Sequence, residues 1–85
     1  MKYVYQIKER MFFNEDKEKT MFGGIAFYGS KKKAMEDFNN RFRFKDNQEV
    51  INEEEYGEEC YTKIKEVKNE YGIHYEVRVE KHIVY

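Results

Sequence analysis

Eighty-five residues make a single domain, 1–85, and a chain this short buries only about 60–65% of the surface it exposes when unfolded. Seven Phe and eight Tyr with no Trp thicken that thin core, and 40% hydrophobic against 39% charged residues excludes a disordered chain in favour of a small fold with a heavily ionised surface. A lone cysteine excludes an internally stapled secreted scaffold, and no apolar run approaches the ~18 residues of a membrane span.

Residues 2–13 alternate, with Tyr3, Tyr5, Ile7, Met11 and Phe13 on one side, interrupted at Glu9, and Lys2, Gln6, Lys8 and Arg10 on the other. That period of two predicts a half-buried strand. The polar stretch 14–19 reads as a hairpin loop into a second strand, Thr20–Tyr28, whose Gly23 and Gly24 mark a bulge or a close backbone approach. From Ser30, a natural N-cap, the period lengthens. Ala34, Met35, Phe38 and Phe42 fall at helical spacing, predicting a helix over 31–43.

Downstream, Glu59–Lys68 reads as a third strand and 69–72, ending in Gly72, as a hairpin loop. The fourth strand sets Ile73, Tyr75, Val77, Val79, Ile83 and Tyr85 against His74, Glu76, Arg78, Glu80 and His82. The expected class is α+β: a four-stranded antiparallel sheet with one main helix packed on one face, in the order ββαββ. Asp46 and Glu49 have capping-box spacing and Gly57 suits a helix stop, so a short second helix within 47–56 stands beside a loop as the reading of that segment.

Charge is segregated along the chain. Residues 1–45 carry a net +5, residues 46–59 a net −7 with no base at all, and residues 60–85 a net +1. Glu53, Glu54, Glu55, Glu58 and Glu59 crowd around Tyr56 just before Cys60. Such a run is either a solvated face neutralised by the protein's own basic helix or a surface that steers towards a cationic partner.

Catalytic readings fail on chemistry or spacing. Ser30, the only serine, is explained as a cap, and Glu58 and Glu59 disfavour a reactive thiolate at Cys60. His74 and His82 lie about ~26 Å apart along one strand, too far for a shared zinc ion, and read as surface histidines. The glutamates lack the alternating ligand pattern of a calcium loop. Residues 24–31, GIAFYGSK, place the serine before the lysine, the reverse of a phosphate loop. No catalytic residue, metal site or cofactor is therefore assigned. Lys31, Lys32 and Lys33 oppose the helix dipole at its N-terminus, and a bound phosphate would offset that repulsion.

The junction AFYGSKKKAMEDF, in which a strand passes through Gly-Ser into a helix, and the ββαββ layout resemble short phage and mobile-element accessory proteins. The resemblance covers residues 1–43 and implies a protein that binds and inhibits host factors; it carries no site residue over. An excess of Lys, Asn, Ile, Phe, Tyr and Met, residues with AT-rich codons, points to a low-GC bacterium or its phage. MKYVYQIKER is not a signal sequence, so a cytoplasmic location is expected.

The leading expectation is a non-enzymatic, anti-CRISPR-like inhibitor. Glu53, Glu54, Glu55, Tyr56, Glu58 and Glu59 would block the basic surface of a larger protein such as a nucleic-acid-binding enzyme. The alternative is a nucleic-acid or nucleotide-binding domain using Lys31, Lys32, Lys33, Arg41, Arg43 and Lys45. A homodimer is also expected, formed through the uncovered face or by pairing of edge strands, because one helix cannot cover both faces of the sheet. The competing reading packs Phe12 and Val84 beneath the segment 48–56, against Val50 and Ile51.

Overall fold

A computed structural model describes residues 2–13, 20–42 and 48–84. Their elements are β1 (Lys2–Phe13), β2 (Met21–Tyr28), α1 (Lys31–Asn40), β3 (Glu49–Tyr56), β4 (Thr62–Lys68) and β5 (Ile73–Val84). The five strands form one antiparallel sheet in the order β2-β1-β5-β4-β3.

This corrects the four-stranded expectation. The sheet has five strands, the helix is a short ten-residue element rather than a dominant layer, and residues 49–56 are strand rather than helix or loop. Pairing accounts for the difference. β3 lies in register along β4, with Glu53 opposite Lys65 and Glu55 opposite Lys63, so opposite charges meet across the ladder. The capping-box reading counted only contacts along the chain. Its Asp46 lies outside the described residues, and Gly57 instead turns the β3–β4 hairpin at φ +83°, a conformation that glycine adopts without strain.

The other strands follow their period-two patterns. β5 lies at the centre of the sheet and turns Tyr75, Val77 and Val79 towards the core, beside Tyr5 and Ile7 of β1. α1 lies over β1, β2 and β5 and inserts Ala34 and Phe38, with Met35 and Phe42 partly buried at the margin. Ser30 occupies the N-cap position with extended backbone and accepts the amide of Ala34 at 3.1 Å, but its side chain makes no capping bond.

The helix does not reach over β4 and β3. There, lysine stems replace apolar side chains: Lys63 Nζ lies 5.3 Å from the Phe38 ring centre and Lys65 Nζ 4.9 Å from that of Phe42. Each sets its ammonium over an aromatic ring, a cation–π contact that covers the core at its margin. Beyond them β3 is exposed along its whole length.

The face opposite the helix is held by paired polar groups. Arg10 donates two hydrogen bonds to Glu76, at 3.0 and 2.9 Å. His74 lies 4% exposed, which corrects its reading as a surface residue: the Phe12 ring stacks on it at 4.7 Å and its Nδ1 lies 3.0 Å from Glu66. His82 is exposed. Phe12 is thus buried by His74 and not by β3, while Val50, Ile51 and Val84 remain exposed.

Candidate functional site

The acidic segment is divided by the geometry of the strand that carries it. Alternation sends Glu53 and Glu55 to the helix side, opposite Lys65 and Lys63, and Glu55 closes a 3.6 Å ion pair with Lys63. Glu54 and Tyr56 point to the opposite face, across from Ile64 and Thr62. Glu58 and Glu59 occupy the turn that leads into β4. Among the described residues, Glu53, Glu54, Glu58 and Glu59 meet no cation at ion-pair distance, although Glu53 stands opposite Lys65 in the ladder, and Tyr56 is 56% exposed. The six residues therefore form two groups. One faces the lysines of β4, where Glu55 is paired, and the other faces solvent around a tyrosine.

β3 is also a sheet edge. Among the described residues it pairs with β4 alone, leaving its outward backbone donors and acceptors available to another strand or to water. Its glutamates repel a second acidic strand, so this edge selects for a partner that brings positive charge.

The basic set is dispersed. Lys31, Lys32 and Lys33 are exposed at the start of α1. Lys31 sits over the Tyr61 ring at 4.0 Å, a cation–π contact that offsets part of its unfavourable place at the helix N-terminus. Arg41 is committed internally: its Nη1 donates to Glu9 at 2.7 Å and its Nε to Asp37 at 3.0 Å. Arg43 and Lys45 lie outside the described residues.

A groove joins the two sets, lined by Tyr5, Lys31, Glu55, Tyr56, Tyr61 and Lys81. Burial and the neighbouring Glu55 carboxylate push the Tyr61 phenol up to about 12, so it stays a neutral donor there.

Sequence reasoning missed the cluster at the other end of α1. Glu9 interrupts the apolar side of β1 because it is the seat for Arg41, and it also accepts hydrogen bonds from the Tyr75 hydroxyl and, at 3.4 Å, from the Gly24 amide. Asp37 accepts Tyr28 at 2.5 Å. Burial disfavours charge on both carboxylates. The bonds from Tyr75 and Arg41 to Glu9, and from Arg41 and Tyr28 to Asp37, outweigh it and lower both pKa values. The break in alternation at Glu9 was the one signal available in the sequence. Arg41 lies too far along the chain for spacing to connect them.

Among the described residues no three His, Cys, Asp or Glu side chains are grouped to hold a metal ion, and no helix is long and apolar enough to cross a membrane. Cys60 is exposed in the turn beside Glu59. Comparison with family models, curated proteins and solved structures finds no significant match to this chain.

Proposed function

We propose that this is a small non-enzymatic binding protein that inhibits a larger cytoplasmic protein by laying β3 and the following turn against its basic surface, as phage and mobile-element anti-defence proteins do. The observation that carries the reading is the form in which the acidic segment is presented. It is an exposed edge strand with an open backbone ladder, with Glu54, Glu58 and Glu59 meeting no cation at ion-pair distance among the described residues, and with an exposed tyrosine. Strand addition supplies affinity through the main chain, and the side chains set the choice of partner. Glutamates at the rim steer association with a cationic groove such as that of a nucleic-acid-binding enzyme.

The test reverses only the charges that the fold does not use. Glu54→Lys, Glu58→Lys and Glu59→Lys together leave the Glu55–Lys63 pair intact. With a partner captured from lysate of a low-GC bacterium, the triple variant is expected to bind at least about tenfold more weakly and to keep its circular dichroism spectrum. Unchanged affinity would overturn the proposal. Salt-sensitive retention of the wild-type protein on heparin would move the assignment to the lysines of α1.

A further inference from the structure

The two edges of the sheet differ in kind. β3 is guarded by glutamate, whereas residues 20–28, which contain β2, carry no charged side chain. Of the usual devices that stop an edge strand from pairing with another chain, β2 has no lysine, proline or inward charge and carries only the bulge at Gly23–Gly24, which leaves the run Ile25–Tyr28 regular. It is also apolar where it is exposed. Phe22, Ile25 and Phe27 pair with Arg10, Lys8 and Gln6 of β1 and so share the face opposite the helix. They are 81%, 59% and 60% exposed. The irregularity between Lys8 and Arg10 brings Phe22 to that face although it stands three positions from Ile25.

Two copies of the chain have three ways to join sheet edges. Joining β3 to β3 sets glutamates of both strands side by side. Joining β2 to β3 places carboxylates among Phe22, Ile25 and Phe27, and its head-to-tail geometry would propagate into filaments. Joining β2 to β2 in antiparallel fashion brings no charge to the seam, merges the two apolar rows across a two-fold axis and closes.

We propose that β2 is a homodimerisation edge, joining two copies through antiparallel β2–β2 pairing into one continuous sheet with Phe22, Ile25 and Phe27 of both protomers at the seam. This goes beyond the binding role of β3, because it leaves both β3 strands unobstructed at the far ends of the dimer.

Light scattering on the wild-type chain from about 10 to 300 µM is expected to show the mass rising towards twice the 10.5 kDa of one chain. Ile25→Lys with Phe27→Lys, both at exposed sites, is expected to hold the mass at one chain with an unchanged circular dichroism spectrum, while Glu54→Lys leaves the dimer intact. A spin label at position 54, introduced by Glu54→Cys in a Cys60→Ser background, is expected to report an inter-protomer distance of ~40 Å, the span of nine strand spacings reduced by twist. A monomer at 300 µM, a dimer that survives the double lysine variant, or labels closer than ~25 Å would each overturn the proposal, the last by placing the contact on a sheet face or at β3.

Discussion

At the C-cap of α1, Arg41 binds two carboxylates at once, Asp37 one turn back in the helix and Glu9 on β1, so a single guanidinium fixes the helix end to the sheet. The three side chains are only 19–23% exposed, and removing the cation leaves two largely buried anions held by neutral donors alone, Tyr75 and Gly24 at Glu9 and Tyr28 at Asp37. Arg41→Ala is therefore expected to cost about 2–3 kcal/mol, below the range for fully buried pairs because water still reaches the site. The sign of the pH dependence follows from the lowered pKa values of Glu9 and Asp37. Their contribution is complete above the ordinary carboxylate range of about 4 and is lost as pH falls through the folded-state values. Urea denaturation between pH 7 and pH 3 should show wild-type stability falling steeply with acid, and the Arg41→Ala curve should be flatter. Tyr75 works in the opposite direction. Burial and the Glu9 carboxylate raise its pKa, so its contribution holds below pH ~10 and is lost in stronger alkali.

Among the elements, the bulge in β2 has two glycines with different roles. A β-carbon on Gly23 would collide with the Glu9 side chain, whereas one on Gly24 would meet nothing within 4 Å. Gly23→Ala is expected to displace Glu9 from Arg41 and Tyr75 and lower the melting temperature by several degrees, about 1–2 kcal/mol in a domain of this size. Gly24→Ala should be neutral or slightly stabilising, because alanine restricts the unfolded chain. Thermal melts of the two variants side by side decide the matter. The same elements show what a sequence reveals. β1 and β5 were legible because each alternates apolar core residues, such as Tyr5 and Ile7 or Tyr75, Val77 and Val79, with polar ones on the other face, which prints a period of two. Ala34 and Phe38 print the helical period for the same reason. β3 buries neither face, so glutamate falls on both and no period survives. Its strand form depends on Lys63 and Lys65 across the ladder, information that lies on β4. The acidic patch was therefore visible as composition, but its division into a side facing the β4 lysines and a side facing solvent was not. Among the basic residues, the commitment of Arg41 depended on Glu9, on a strand that sequence spacing does not relate to it.

Across the whole molecule, the sheet is assembled from two hairpins, β1–β2 and β4–β5, with β3 added outside the second. The seam between the hairpins is β1 against β5, a ladder that runs from Lys2 opposite Val84 to Phe13 opposite Ile73. Every contact in that seam spans most of the chain, so its loop-closure entropy must be met before the core residues Ile7, Val77 and Val79 come together. Folding is accordingly expected in milliseconds to seconds, the range of sheet proteins dominated by non-local pairing. A circular permutant removes that delay. Joining residue 85 to residue 1 through a short glycine turn and opening the chain between Glu58 and Glu59 makes β5–β1 a local hairpin, at the expense of the β3–β4 turn. Stopped-flow refolding should then speed up by about tenfold or more with the native spectrum recovered. An unchanged rate would mean that the central ladder forms after the rate-limiting step. A ribosome-bound chain meets the same ordering, because β1 must wait with one side unpaired until β5 emerges from the exit tunnel. During synthesis the most vulnerable surface is therefore the open edge of β1, which the finished sheet covers with β5.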